Sequence, residues 1–166
     1  MHPIILTATM GKADFAWADA LRRRHFPPDR NHVPAHITLF HHLPPSCLDE
    51  LTNLMRREAR GSAPKAMLAG LVNLGSGVAL RVECAELLVI REVIADHFAG
   101  MLTPQDEHPP RLHITVQNKV AAAEAKALHA ELERDFCPRP LAIAGLAAWH
   151  YLGPHWQLAA EVRFRG

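Results

Sequence analysis

The sequence predicts an α+β or α/β fold in which mainly antiparallel strands alternate with helices. Hydrophobic residues make up 49% of the 166-residue chain, which is enough for a buried core. The order strand, helix, strand, helix recurs in outline in the second half, and the string His-Ile-Thr plus an aliphatic residue occurs once in each half. We therefore expect one domain over 1–166, with two similar lobes from a duplication of roughly 1–62 and 63–166 and helices packed outside.

The first half is predicted to contain two strands and two helices. Apolar residues at helical spacing follow Asp14, a suitable N-cap, and Pro27-Pro28 ends that helix. Pro44-Pro45 breaks the chain again and places Ser46 as the cap of a second helix. The predicted elements are a strand over 4–10, a helix over 15–24, a strand over 35–42 and a helix over 48–60, with Phe15, Ala18 and Leu21, and Trp17 at the margin, facing inward from the first helix.

The second half is predicted to begin with a β-hairpin, because Gly75-Ser76-Gly77 separates two strand-like runs. An apolar helix follows, and then a polar, Pro-rich loop over 103–110. The chain closes on a hairpin that turns at Gly153-Pro154. The predicted elements are strands over 65–74 and 78–84, a helix over 86–101, a strand over 111–118, a helix over 121–136, and strands over 141–152 and 156–164.

The repeated string is His36-Ile37-Thr38-Leu39 in the first half and His113-Ile114-Thr115-Val116 in the second. Two chance copies of His-Ile-Thr are expected at a frequency on the order of 10⁻⁴. Residues i and i+2 of a strand face the same side, so each histidine projects together with its threonine while the aliphatic residues pack behind them. The duplication would bring both pairs into a groove between the lobes.

Composition narrows the functional classes. A net charge of +1 does not favour binding of nucleic acid through a broad basic field, although a local pocket for a nucleotide or an RNA end needs no such field. The three cysteines form no C-x-x-C pair and no disulfide framework. The N-terminus lacks a basic region before its short apolar run, and no stretch approaches 18 apolar residues. We expect a cytoplasmic protein with no membrane contact and no obligate protein partner.

Two imidazoles with adjacent hydroxyls are suited to acid–base chemistry on a phosphate. Histidine has a pKa near 6.5 and can remove or supply a proton at neutral pH. A strained cyclic phosphodiester opens when one group removes a proton and another adds one on the opposite side of phosphorus. Fixed hydroxyl donors can stabilise charge on the remaining oxygens.

With these motifs the chain resembles the 2H phosphoesterase superfamily, whose hallmark is two H-x-T/S-x motifs, one in each lobe. The nearest branch is the bacterial 2′-5′ RNA ligase and RNA 2′,3′-cyclic phosphodiesterase group. The resemblance implies a bilobal α+β fold with a central, metal-independent active site and no cofactor. It implies action on 2′,3′-cyclic phosphates at RNA ends or in small cyclic nucleotides, or on 2′-5′ phosphodiester bonds, with ligation as the reverse reaction.

The resemblance implies that His36 is the general acid and His113 the general base, although these two roles can be exchanged. It also implies that Thr38 and Thr115 donate hydrogen bonds to the phosphoryl oxygens. Two other interpretations stay open. One is a phosphodiesterase for small molecules similar to ADP-ribose 1″,2″-cyclic phosphate. The other is a slow binding module for RNA ends or nucleotides.

Other residues are weaker candidates. Arg111 is two residues before His113 and would share its face, while Phe40 continues the His36 face and would either stack on a base or fill the groove. His41 and His42 form no known metal-ligand spacing with His36, so no metal is expected. The run Arg22-Arg23-Arg24 is typical of a solvated helix C-terminus, and contact with an RNA backbone is its other interpretation. The aromatic residues around Trp149 and Trp156 are expected to pack the terminal hairpin, with one of them able to line the cleft.

Overall fold

Seven antiparallel strands form the framework of the molecule, which we describe from a computed structural model covering residues 1–166. Their bounds are β1 Ile4–Met10, β2 Ile37–Leu43, β3 Lys65–Asn73, β4 Val78–Glu83, β5 His113–Gln117, β6 Arg139–Tyr151 and β7 Trp156–Arg163. Their spatial order is β2-β1-β6-β3-β4-β5, and β7 pairs with β6. This arrangement confirms the predicted antiparallel α+β fold.

Strand β6 belongs to both lobes. Residues 139–142 pair with β3, whereas the strand from Ile143 onward pairs with β1 on one side and, from Gly145, with β7 on the other. One lobe therefore contains β2, β1, β7 and the later part of β6, and the other contains β3, β4, β5 and its first residues. The proposed repeat of 1–62 and 63–166 stays a prediction.

Five helices accompany the strands: α1 Lys12–His25, α2 Leu48–Glu58, α3 Ala85–His97, α4 Pro104–Glu107 and α5 Ala122–Asp135. Helix α1 packs against β5, and α5 packs against β3 and β4. Since α1 follows β1 in the first lobe but contacts the second, it joins the two lobes. None of the helices combines the length and the apolar character that crossing a bilayer requires.

Three local predictions were wrong. Gly11, not Asp14, precedes α1, and the Asp14 carboxylate instead accepts a hydrogen bond from the Ala142 N–H at 2.7 Å. Ser46 caps no helix, because a short 3₁₀ helix over Pro45–Cys47 leads directly into α2. The loop predicted over 103–110 contains α4, which the Thr103 side chain caps.

The hairpin between β3 and β4 forms as predicted and positions β5. Leu74 donates its N–H to the Gly77 carbonyl at 2.8 Å, and Gly75 adopts a φ of 89° that favours glycine. A Cβ on Gly77 would lie only 1.9 Å from the Gln117 carbonyl oxygen. Glycine is therefore required where β5 ends against the start of β4.

Candidate active site

The two motif strands lie at opposite ends of the strand order, yet they contact each other across the groove between the lobes. His36 immediately precedes β2, and His113 is the first residue of β5. The alternation is as predicted: both histidines and both threonines are partly exposed, whereas the aliphatic residues between and after them are buried, namely Ile37, Leu39, Ile114 and Val116. The fold therefore brings together the motif faces that the sequence placed far apart.

Both histidines have the same hydrogen bond. The Nδ1 of His36 lies 2.7 Å from the Pro34 carbonyl oxygen, and the Nδ1 of His113 lies 2.6 Å from the Arg111 carbonyl oxygen. A carbonyl oxygen can only accept, so each Nδ1 carries the hydrogen and donates it. The Nε2 of each ring is then the nitrogen left for proton transfer, and the bond fixes the ring orientation.

A cavity of about 310 Å³ lies beside His36 and is lined mainly by aromatic and aliphatic side chains. The Trp156 ring centre is 4.7 Å from that of His36, and the two indoles of Trp149 and Trp156 are 6.4 Å apart. Trp149 donates its Nε1–H to the Thr7 hydroxyl at 2.9 Å. Both tryptophans therefore line the cavity beside His36, where the sequence indicated at most one aromatic residue at the site.

A second cavity of about 230 Å³ contains Thr38 from β2 together with His113 and Arg111 from the β5 side. A threonine of the first motif thus faces the same space as the histidine of the second. Arg111 is exposed and lines this cavity, as its even offset from His113 predicted. Thr115 lies partly exposed on the same face of β5 but lines neither cavity.

Phe40 is fully buried, so its ring cannot stack on a base. An irregularity in the pairing of β1 with β2 explains this: Thr38 pairs with Thr7 and Phe40 with Leu6, so two steps along β2 match one step along β1. Such a bulge breaks the alternation of faces. Phe40 instead packs under the Arg91 guanidinium, which lies 4.2 Å from the ring centre.

Partial burial of the His36 imidazole removes it from much of the solvent and lowers its pKa to about 4. The bond to the Pro34 carbonyl opposes this shift by favouring the protonated ring, but the positive Arg22 and the other imidazoles nearby, His113 and His41, reinforce it. His36 is therefore neutral at physiological pH in the free protein. A neutral imidazole with a protonated Nδ1 presents a basic Nε2.

Arg22 is a site residue that the sequence interpretation missed. It is only 4% exposed, and it donates from Nη1 to the Thr115 carbonyl and from Nε to the Asn31 side chain, both at 2.9 Å. Burial lowers the pKa of this guanidinium to about 10, although Asp19 partly offsets the effect. Arg23 and Arg24 are exposed as predicted. Arg22 therefore ties β5 to the loop that leads into His36.

Asp106, His41 and Arg91 form a second group that sequence reasoning missed. The buried Asp106 carboxylate accepts hydrogen bonds from the His41 N–H at 2.9 Å, the His42 N–H at 2.8 Å and the His41 Nδ1 at 3.3 Å. Burial alone would raise the pKa of Asp106, but these bonds hold it below its usual value. Arg91, also buried, donates to the Leu39 and Asp106 carbonyls.

Two signals in the sequence pointed to this group. Thr103-Pro104 is a helix-start pattern inside the stretch assigned to loop. Arg91 occupies the buried face of α3 between Leu87 and Ile94, where an apolar residue is expected. No three His, Cys, Asp or Glu side chains in the chain are grouped as metal ligands.

Residues 12–155 match the sequence profile of the 2′-5′ RNA ligase superfamily. The chain belongs to this superfamily. A comparison with curated protein sequences gives no match. The 2′-5′ RNA ligase superfamily is the 2H phosphoesterase group indicated by the paired motifs, so the predicted family is confirmed.

Several solved structures have the same fold. The TT0787 protein of Thermus thermophilus is 19% identical with a TM-score of 0.67, and the alignment covers 99% of this chain and 98% of that one. E. coli LigT complexed with 3′-AMP is 15% identical with a TM-score of 0.62 and 99% coverage of both chains. LigT complexed with NADP+ is 16% identical, with a TM-score of 0.62 and 98% coverage of both.

Proposed function

We propose that the chain hydrolyses 2′,3′-cyclic phosphates at RNA ends or in nucleotides, or 2′-5′ phosphodiester bonds, without a metal ion. The observation that carries this proposal is the pair of motif histidines, each with its Nδ1 on a carbonyl, on two strands that meet at one cleft. Solved relatives complexed with 3′-AMP and with NADP+ support a nucleotide ligand.

In this mechanism water attacks phosphorus while an imidazole removes its proton, and the other imidazole protonates the leaving ribose oxygen on the opposite side. The resemblance assigned the acid to His36 and the base to His113. The lowered pKa of His36 favours the reverse, because a neutral ring can accept a proton but has none to give from Nε2. We therefore assign His36 as base and His113 as acid in hydrolysis.

The hydroxyls of Thr38 and Thr115 would donate hydrogen bonds to the phosphoryl oxygens and stabilise their charge as the new bond forms. The position of Thr38 in the cavity that also contains His113 supports this role. Arg111, in the same cavity, would add a permanent positive charge near the phosphate.

The function is tested by incubating the protein in EDTA with nucleoside 2′,3′-cyclic phosphates and with an RNA that ends in a 2′,3′-cyclic phosphate. We expect turnover of at least one, and the 2′- or 3′-phosphate product identifies the oxygen that leaves. Turnover of only ADP-ribose 1″,2″-cyclic phosphate would contradict the RNA assignment. Tight product binding without turnover of any of them would contradict the assignment as an enzyme.

Replacing Thr38 by valine is expected to lower kcat by about 10²–10³-fold, the usual effect of removing one donor to a developing oxyanion. The two side chains are nearly isosteric, so the melting temperature should change little. Thr52→Val on α2 is the matched control, because the Thr52 hydroxyl bonds only to the Leu48 carbonyl of its own helix. Equal effects of the two substitutions on kcat would contradict the role of Thr38.

The pH profile of kcat/KM is expected to keep its acid limb near pH 4, because the pKa of His36 is lowered to about 4. In the unfolded chain this histidine binds a proton below about pH 6.5, whereas in the folded protein it does so only near pH 4. The free energy of unfolding therefore also decreases as the pH falls from about 6.5 to about 4. Circular dichroism at each pH separates unfolding from titration. An acid limb near pH 6.5 in folded protein would refute the assignment of His36 as base.

A further inference from the structure

Four arginines line one open groove of about 240 Å³ on the outer side of the lobe that holds β7. Arg56 lies in the last turn of α2 and Arg60 just beyond it, while Arg163 ends β7 and Arg165 follows two residues later. The remaining lining residues are Ala59 and Val162, so no carboxylate lines this groove. We call these four side chains the arginine groove.

The fold assembles the arginine groove from segments about a hundred residues apart. After α2 the chain turns at Gly61, whose carbonyl accepts a hydrogen bond from the Arg165 N–H at 3.1 Å. The Ala63 N–H then donates to the Arg165 carbonyl at 3.2 Å. These bonds hold the end of β7 against the end of α2, so the two pairs of arginines face one space.

The charge of the arginine groove is not neutralised within the protein. All four side chains are exposed, and none of them forms an ion pair with a carboxylate, whereas the adjacent Arg57 pairs with Glu58 at 3.6 Å. Acidic side chains line only the neighbouring depressions: Asp49 and Glu161 share one with Arg56, and Glu50 shares another with Arg56 and Arg60. Guanidinium groups repel one another, so a positive charge of this density in a chain of net charge +1 is best matched by an external anion.

Protection of a sheet edge explains only part of this arrangement. β7 is an edge strand, and charged side chains on such a strand prevent pairing with other chains. That reason accounts for Arg163 and Arg165. It does not account for Arg56 and Arg60, which lie at the end of a helix and add their charge to the same groove.

The arginine groove continues into the catalytic cleft. Arg163 also lines the 310 Å³ cavity that contains His36 and Trp156. A chain of phosphates that leaves this cavity along β7 therefore meets Arg163 first and then the other three arginines. Guanidinium groups bind phosphate through paired hydrogen bonds and remain charged at all physiological pH values.

We infer that the arginine groove binds the phosphodiester backbone of single-stranded RNA whose terminal cyclic phosphate lies in the cleft. The placement of that terminus rests on the proposed function, whereas backbone binding does not. The inference makes oligoribonucleotides better substrates than mononucleotides. A local cluster of arginines can bind RNA even though the net charge of the chain, +1, predicts no broad basic surface.

The test compares the wild type with the double variant Arg56→Gln/Arg60→Gln, two exposed positions outside the catalytic cleft. Binding of a fluorescein-labelled oligouridylate of about twelve nucleotides with a 3′-hydroxyl end is measured by fluorescence anisotropy at several salt concentrations. We expect the Kd to rise about tenfold or more at low salt in the variant. The slope of log K against log salt should decrease in magnitude by about 0.7 for each phosphate that the variant no longer neutralises.

Arg134→Gln on α5 is the matched control, because it removes one exposed arginine from the other lobe and should leave the Kd unchanged. KM is then measured for a mononucleoside 2′,3′-cyclic phosphate and for an oligoribonucleotide with the same end. The double variant should raise KM for the oligonucleotide only.

Several outcomes would overturn the inference. The Kd for the oligouridylate could be unchanged in the double variant, or could rise equally in Arg134→Gln. The variant could instead lose binding to phosphatidylserine vesicles and keep its affinity for RNA, which would assign the groove to a lipid surface. If the RNA affinity depends on the groove but no cyclic phosphate is hydrolysed, the proposed function fails and backbone binding stands.

Discussion

Replacing either His36 or His113 by alanine is expected to lower kcat for a 2′,3′-cyclic phosphate by about 10²–10⁴-fold, the contribution of one general acid or base. Each substitution removes an Nε2 that the carbonyl bond at Nδ1 had oriented. KM should change much less, since the threonines and the aromatic cavity remain. Kinetics in EDTA, with single-turnover measurements to isolate the chemical step, provide the check.

A variant with both histidines replaced provides a second test of the two-histidine mechanism. Groups that act in one step are not additive, so His36→Ala/His113→Ala should be little slower than the slower single variant. His129→Ala on α5 is the control, because its imidazole lies near Glu133 on the same helix and lines neither of the two cavities. A single variant that keeps wild-type kcat would contradict the two-histidine mechanism, as would equal losses in the control.

The motif strands could be predicted because their information is local. A period of two places each histidine beside its threonine and buries the aliphatic residues whatever the rest of the chain does. The carbonyl bonds at Nδ1 are equally local, since each acceptor is only two residues before its histidine. The fold then had only to bring β2 and β5 together, and the recurrence of the element order indicated that it would.

The face of Phe40 could not be read from the same period, because a bulge shifts the alternation within β2. That bulge depends on the pairing with β1, where Thr38 and Phe40 oppose the consecutive residues Thr7 and Leu6. Pattern rules assume a regular strand and therefore assigned this ring to the His36 face, although a packing role was one of its two interpretations.

Buried charges were missed for a different reason. Arg22 and Arg91 lie in helices, where an arginine side chain is usually exposed to solvent. Their burial is favourable only because of partners in distant segments. Arg22 donates to the Thr115 carbonyl, and Arg91 donates to the Asp106 carbonyl. The arginine groove likewise depends on the contact between Gly61 and Arg165. Residue type and spacing can mark a charged residue on a buried face, as for Arg91, but they do not identify its distant partner.

Replacing Asp106 by alanine is expected to destabilise the protein by about 2–4 kcal/mol, since each backbone donor left without its acceptor costs about 1–3 kcal/mol. The substitution leaves the backbone N–H groups of His41 and His42 without their acceptor and removes the negative charge near the buried Arg91. Urea unfolding at pH 7 measures the difference. Glu107→Ala, on the same short helix but exposed, should stay within about 0.5 kcal/mol of the wild type.

The pH dependence of this difference identifies its cause. The pKa of Asp106 is lower in the folded protein than in the unfolded chain, so its carboxylate stabilises the fold above the ordinary aspartate range, near pH 4. That contribution is lost as the pH falls through the folded-state pKa. The difference in free energy of unfolding between the wild type and Asp106→Ala should therefore decrease at acid pH. The effect of His36 titration on stability is common to both proteins and cancels in this difference. A gap that is small at pH 7, or that does not change with pH, would mean that the ionised carboxylate is not what holds β2 to α4.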